Sequence, residues 1–346
     1  MKNKKVLILA TSRKTRGGVT AVLKVYEQCP FWKKYKVYWL ETHIDRTLFV
    51  KFLYAVKALI EFLFLVWFYD IIHIHTSELP SIKRKYVFFK ISKMLHKKVI
   101  IHLHIGNQLV EQRGNILYQK IFNGADAIIV LSESIRKKLA LLFHIKKNVY
   151  VIYNPCLKIS SVRYTDVYKE IIFAGTLNKN KGYSVLIRAF AKIATVFPDW
   201  KLIIAGNGEL IEAKRIAIDC GISERVFFPG WVKEEQKEKL FRRASIFCLA
   251  SYAEGFPMAV LDAWSYGLPV ISTPVGGLPD VLLDKKNVLF FQAGDVDALA
   301  RQLTTLLSDA SLRLKFSAAS LYLAYGPFSM SHINDQIIDL YETVVK

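Results

Sequence analysis

Cysteine is scarce and scattered in this chain of 346 residues: Cys29, Cys156, Cys220 and Cys248 form no CxxC pair and no metal-ligand spacing. That excludes a disulfide framework and a cysteine-bound zinc site, and it fits buried thiols in a reducing compartment. Acidic residues are scarce in one half only. Residues 1–165 carry 29 Lys and Arg against 9 Asp and Glu, and the remainder carries 20 of each, so the net charge of +20 belongs to the first half. No helix-turn-helix, zinc-finger or RNP-type pattern accompanies this charge, which disfavours nucleic acid as a partner. An anionic membrane surface fits the excess best, with a solvated basic face as the alternative. A secretory leader is not expected, because the basic start Met1–Lys5 leads into VLILATS, which suits a first strand.

A long uninterrupted apolar run is also missing. A spanning helix wants ~20 largely apolar residues. The most apolar stretch, Leu48–Tyr69, is broken by Lys51, Lys57 and Glu61, and its longest charge-free run is Phe62–Tyr69. Each central Lys would cost roughly 3 kcal/mol on insertion. The three charges fall on one side of a helical wheel at about 100° per residue. The stretch therefore reads as a helix buried against a sheet, with partial immersion in a membrane interface as the second reading.

What is present is a globular α/β composition, 52% hydrophobic and 13% aromatic, and long enough for two domains. Apolar runs alternate with helical patterns throughout, as parallel α/β layers require. Strands are expected at Lys5–Ala10, Val37–Leu40, Ile71–His75, Val99–Leu103, Ala127–Leu131 and Val149–Ile152. A second series follows at Glu170–Ala174, Leu202–Ala205, Val226–Phe228, Ile246–Leu249, Pro269–Ser272 and Val288–Phe290. The aperiodic stretch Asn154–Asp166, with Pro155, marks the hinge. Two Rossmann-like domains facing across a cleft are expected, residues 1–160 and 161–326, followed by a C-terminal segment 327–346. Ligands of such sheets sit at the carboxyl ends of the strands.

The most informative segment is Ser251–Asp280, SYAEGFPMAVLDAWSYGLPVISTPVGGLPD. It places Glu254 in a glycine turn ahead of a helix, Asp262 inside that helix, and a second glycine turn at Gly276-Gly277. Pro257 suits a helix start, which leaves the N–H groups of Gly255, Phe256 and Met258 free for an anion. Carboxylates beside a phosphate site make sense for a ligand that also carries hydroxyls, because an ionised acid is a pure acceptor. A nucleotide-sugar has both. Three other glycine turns follow predicted strands: Thr15-Arg16-Gly17-Gly18, Gly175-Thr176 and Gly206-Asn207-Gly208. Each permits close backbone approach of a ligand. The histidines pair at strand spacing, His73 with His75 and His102 with His104, and a metal with Asp70 or Glu78 is conceivable there.

The segment resembles the donor-site signature of the retaining GT-B glycosyltransferases, glycosyltransferase family 4 in particular. There two Glu residues separated by seven precede a G-L-P-V-I-x-T-x-x-G-G run; here the pattern is Glu254, seven residues, Asp262, then GLPVISTPVGG. The resemblance implies a GT-B fold whose last helix crosses back onto the first domain. It implies transfer of a hexose-type sugar from a nucleotide diphosphate, with retention and with neither metal nor cofactor. Lys181 would neutralise the donor diphosphate, with Thr176 where the family places Arg. Glu254 would hold sugar hydroxyls and Asp262 the ribose. Gly206 and Asn207 would line the nucleotide, and the backbone at Val232 would face the base. Gly17, Gly18 and Arg16 would edge the phosphate and acceptor. His104 matches the family's strand-end His beside the sugar; His75 is second to it, and His73 and His102 read as satisfied packing residues. The basic first half points to a lipid-linked saccharide acceptor in cell-surface polysaccharide assembly. The enzyme would then be cytoplasmic and peripheral on the inner face of the cell membrane. The alternatives are a GT-B epimerase of nucleotide-sugars and a catalytically silent sugar- or membrane-binding module.

Overall fold

The computed structural model describes residues 4–162, 164, 165 and 167–346. The chain divides into two compact units, Met1–Pro155 with Met330–Lys346, and Cys156–Ser329. Arg163 and Asp166, within the expected hinge, lie outside the described residues.

The first unit runs β1 (Val6–Thr11), α1 (Gly18–Tyr26), α2 (Pro30–Lys34), β2 (Tyr38–His43), α3 (Leu48–Leu65), β3 (Ile71–Thr76), α4 (Leu79–Met94), β4 (Lys98–Leu103), α5 (Ile116–Gly124), β5 (Ala127–Val130), α6 (Glu133–Phe143) and β6 (Val149–Val151). Its strands pair in parallel in the order β2-β1-β3-β4-β5-β6. A parallel sheet is covered on both faces, which is why β1, β3 and β4 read as near-continuous apolar runs. Leu7, Leu9, Ile72, Ile74, Val99 and Ile101 join one core with Phe62, Phe88 and Phe122 of the helices.

The second unit runs β7 (Glu170–Ala174), α7 (Tyr183–Ile193), β8 (Lys201–Ala205), α8 (Leu210–Asp219), β9 (Val226–Gly230), α9 (Glu234–Arg243), β10 (Ile246–Leu249), α10 (Met258–Ser265), β11 (Val270–Ser272), α11 (Leu278–Val281), β12 (Leu289–Phe290), α12 (Val296–Ser308) and α13 (Ala310–Tyr325). Its sheet is also parallel, in the order β12-β11-β10-β7-β8-β9. Asp295 and Asp309 cap α12 and α13 by accepting N–H bonds at 2.8 Å from Ala298 and Leu312, which satisfies donors that a helix start leaves open.

Helix α14 (Met330–Val345) belongs to the first unit. The Phe31 N–H donates to Asn334 Oδ1 at 2.8 Å, and the Tyr341 hydroxyl meets His73 Nδ1 at 2.7 Å.

Both expected domain limits move by a few residues, for identifiable reasons. The Cys156 N–H donates to the Phe328 carbonyl at 2.8 Å, and Arg242 donates to the carbonyls of Ser160 and Ser161. The Phe328 ring packs 5.0 Å from Trp264. Residues 156–161 and 327–329 are thus held by the second unit, so the division falls at Pro155 and Ser329 rather than at residues 160 and 326. Cys29, Cys156 and Cys248 are buried, and burial pushes the Cys29 thiol up to about 12.

The larger correction concerns α3. Burial against the sheet was the first expectation for this stretch, and only Ala58 and Phe62 of α3 are buried. Phe62 stacks edge-on with Phe88 at 5.0 Å. Two of its three charges are engaged at the flank: Lys51 pairs with Asp45 at 3.1 Å, and Glu61 accepts from the Tyr38 hydroxyl. Most apolar side chains of α3 face outward. Apolar content alone cannot tell an inward stripe from an outward one.

Candidate functional site

Because the strands are parallel, the loops that follow them leave from one edge of each sheet. In the second unit the chain passes outward from β7 through β8 and β9, then returns to β10 on the other side of β7. The loops after β7 and β10 flank this switch point, where an open α/β sheet leaves room for a ligand.

The first of these loops closes against the second. Asn178 accepts from the Lys181 N–H at 3.1 Å and so caps one turn of 3-10 helix at Lys179–Lys181. Gly182 takes a φ of 63°, and a Cβ there would meet the Ala250 carbonyl oxygen at 2.1 Å, so glycine is required. The Tyr252 N–H donates to the Asn180 carbonyl at 2.8 Å, and Asn180 Nδ2 donates to the Ala253 carbonyl at 2.9 Å. These bonds set Lys181 Nζ 2.5 Å from Glu254 Oε1, with the side chains 27% and 13% exposed.

Two further loops are fitted to this pair. A Cβ on Gly206 would meet the Gly175 carbonyl oxygen at 1.8 Å, and the Leu177 N–H donates to the Asn207 carbonyl at 2.6 Å. The Gly277 N–H donates to the Gly255 carbonyl at 2.9 Å. Gly175, Lys181, Gly206, Asn207, Glu254 and Gly255 therefore form one knitted group at one sheet edge. Thr176 and Lys179 are exposed in the same loop.

Helix α10 begins at Met258, with Pro257 as its N-cap and not inside its first turn. The Phe256 ring is buried against Trp264 and Phe328, at 6.1 and 5.3 Å. Phe256 thus has only its backbone to offer a ligand, and Pro257, also buried, has no N–H to offer. Asp262 Oδ2 lies 2.6 Å from Lys237 Nζ on α9. The sequence reading missed Lys237, which looks like one more surface charge in EEQKEK. Val232 is half-buried in the turn between β9 and α9.

Chemically, each acid of the Glu254–Asp262 pair has a lysine from another element. An ammonium carries three donors, so Lys181 can hold the Glu254 carboxylate and an anionic oxygen together. A carboxylate beside a cation, with a helix start behind it, accommodates a ligand with phosphate at one end and hydroxyls at the other.

In the first unit the switch point lies between β1 and β3. The loop after β1 is anchored through Glu41, which accepts from Ser12 Oγ at 2.7 Å, from the Arg13 N–H at 2.9 Å and from the Tyr54 hydroxyl. Burial alone would raise the Glu41 carboxyl, but the bonds from Tyr54, the Arg13 N–H and Ser12 outweigh it and hold it below the usual range. Arg16, Gly17 and Gly18 are exposed, and no side chain caps α1. A Cβ on Gly17 would meet nothing within 4 Å, so it is the φ of 155° and not packing that favours glycine there.

His104 follows β4, and its Nε2 lies 2.9 Å from His75 Nδ1. Burial first, then the charge of Lys85, lowers His104 to about 3. His73, His75 and His102 are fully buried, with His75 opposite His102 in register. The expectation that His73 and His102 are satisfied is corrected. His73 Nε2 and both nitrogens of His102 have no partner among the described residues. Nitrogens of His73, His75 and His102 lie within 4.8 Å of one another. The His73 and His102 rings are within 9° of parallel and those of His73 and His75 within 27°, so their in-plane lone pairs do not converge on one point. Lys85, also unforeseen, is buried, donates to the His75 carbonyl and is lowered to about 7 by burial and by Arg84.

Two parallel Rossmann-like units with ligand loops at their carboxyl edges define the GT-B class of glycosyltransferase. Comparison with solved structures supports the fold: Anabaena HepE, solved with UDP and glucose, superposes with a TM-score of 0.79 at 18% identity, covering 98% of this chain and all of that one. Residues 30–156 match the family described as Glycosyltransferase Family 4, and residues 162–320 match Glycosyl transferases group 1. The chain belongs to the family 4 type of GT-B glycosyltransferases. Among curated relatives, an uncharacterized glycosyltransferase of Methanocaldococcus jannaschii is 26% identical over 236 residues, 63% of this chain and 60% of the relative. The lipopolysaccharide core biosynthesis glycosyltransferase LpsE of Rhizobium meliloti is 29% identical over 171 residues, 49% of this chain and 48% of the relative. The matched region thus spans about half to three fifths of these relatives' length.

Proposed function

We propose that this protein transfers a hexose-type sugar from a nucleotide diphosphate donor to a lipid-linked saccharide, with retention of anomeric configuration and without a metal. The observation that carries the reading is the Lys181–Glu254 pair, 2.5 Å apart at the switch point of the second sheet. In this reading Lys181 and the N–H groups at the start of α10 meet the departing diphosphate as its charge develops. Glu254 accepts from the sugar hydroxyls, and Asp262, steadied by Lys237, accepts from the ribose. The backbone at Gly175, Thr176, Gly206 and Asn207 lines the nucleotide, and that at Val232 faces the base. No side chain of the pair is needed as a covalent nucleophile; the leaving phosphate oxygen takes the acceptor proton on the face where the new bond forms.

The donor class is supported by HepE's complex with UDP and glucose, and the acceptor class by the role of LpsE in lipopolysaccharide core synthesis. The charge excess of the first half supports a station at the anionic inner face of a membrane. The test is an incubation of the protein with a panel of nucleotide-sugars and membrane lipid extract, with products resolved by mass. Transfer of one hexose to a lipid-linked acceptor is expected. Donor turnover to an epimer without acceptor, or no turnover of any donor, would overturn the reading.

A further inference from the structure

Helix α3 has its polarity reversed relative to an ordinary surface helix. Its 18 residues make a rod about 27 Å long. The side turned from the core presents Leu48, Phe49, Phe52 and Phe64, and the 3-10 turn that follows adds Trp67 and Phe68. These six are between 64% and 85% exposed. Together they leave roughly 700 Å² of apolar side chain uncovered, more than the largest patch of a typical monomer. The inner side makes the polar contacts instead, through Lys51, Tyr54 and Glu61.

The surroundings are cationic. Lys57 sits at the edge of the apolar face and Arg46 just before the helix, both exposed. Beside α3 lies α4, joined to it through Phe62 and Phe88, and its exposed stripe is Lys83, Val87, Lys90 and Met94. Lys97 Nζ donates to the Trp67 carbonyl. The nearby acids are mostly engaged: Asp45 by Lys51, Glu61 by Tyr38, and Asp70 by Lys4 and the Lys5 N–H. Glu78, at the start of α4, is exposed.

We infer that the outer face of α3, with Trp67 and Phe68, inserts into the surface of an anionic phospholipid bilayer. Apolar side chains enter the acyl boundary while the flanking lysines meet headgroup phosphates, the arrangement of a helix lying in the interface plane. Trp67 at the end of the helix occupies the level that interfacial aromatic residues favour. No described helix is long and apolar enough to cross a membrane, in keeping with a helix that lies flat. A second copy of the chain would cover the apolar face but would bring Lys57, Lys83 and Lys90 against like charges, whereas an anionic bilayer satisfies both. The inference deepens the membrane station proposed above. It adds a hydrophobic anchor that salt does not screen, and it does not depend on the donor chemistry.

The experiment is flotation of the full chain with vesicles of phosphatidylglycerol and phosphatidylethanolamine, against phosphatidylcholine alone, at about 0.05 and 0.5 M salt. The wild type is expected to float with the anionic vesicles at both salt levels. The variant Phe49→Ser/Phe52→Ser/Phe64→Ser is expected to lose on the order of 100-fold in partitioning, and what remains should vanish at high salt. These positions are exposed, so its melting temperature and its stabilisation by nucleotide-sugars should match the wild type. Brominated lipid should quench the wild type, and Trp67→Phe should remove that quenching. The inference is overturned by a wild type that does not float or by a triple variant that floats equally well. A solution dimer that the triple variant dissolves would overturn it too. Failure of nucleotide-sugars to bind a chain that floats would count against the transferase reading alone.

Discussion

Glu254→Gln is expected to lower kcat/KM for sugar transfer by on the order of 1000-fold. The amide keeps the shape of the side chain but replaces one acceptor oxygen with a donor, and it no longer balances Lys181. The change lands on a pair that is only 27% and 13% exposed, where solvent cannot easily replace the lost interaction. The stability cost should stay near 1 kcal/mol because the pair is still partly wet and one partner remains hydrogen-bonded to its loop. The check is steady-state kinetics with the best donor beside a thermal melt. A large kinetic loss with an unchanged melt supports the placement of Glu254 at the reacting sugar. Activity within a few-fold of wild type would remove it from the site.

The second large effect is acid sensitivity of the first unit. His73 is held down to about 3 by burial and by His104, and His104 to about 3 by burial and by Lys85. His75 and His102 are also held well below the usual histidine range, again chiefly by burial. In the unfolded chain each returns to roughly 6.5. As pH falls below 6.5 the unfolded state takes up protons that the folded state refuses, so stability declines from there towards pH 3. Each fully depressed histidine costs about 1.4 kcal/mol per pH unit, or about 2 kcal/mol at pH 5, and less for the partly exposed His104. The four contributions share one sign, so the stack as a whole loses stability as the pH falls. Lys85 acts in the same direction at higher pH, since its folded value of about 7 lies below the unfolded one. Stability is therefore expected to peak above pH 7 and to decline steadily below pH 6.5. His102→Leu, which removes two unpartnered buried nitrogens, should flatten the slope and lower the acid midpoint. A stability profile flat from pH 7 to 4.5, unchanged in that variant, would contradict the account.

How much of this was legible beforehand follows from what each signal reports. The strands were legible because a parallel strand covered on both faces must be apolar along its length, and runs such as VLIL and IIHIH have no other use. The glycine turns were legible for a related reason: at Gly182 and Gly206 a side chain would collide with a carbonyl oxygen, so the residue type records a contact. Lys237 and Lys85 were missed for the opposite reason. Lysine is so common on helix surfaces that a partner such as Asp262, distant in sequence, gives it no local mark. The histidine stack was half legible: alternation placed His73 and His75 on one face, but the register that sets His75 against His102 is a property of the sheet. The orientation of α3 was left open between burial against the sheet and partial immersion in a membrane interface. Its apolar arc satisfies the pattern of a buried helix, and only packing reveals that it faces away from the core.

The central claim is that the loops after β7 and β10 hold a nucleotide diphosphate through Lys181. Calorimetric titration of UDP and its sugar conjugates into the wild type and into Lys181→Ala tests it most directly. A single saturable site in the wild type, weakened by at least about tenfold in the variant, is the expected result. Equal affinity in the two proteins, or no binding of any nucleotide diphosphate by the wild type, would contradict the account.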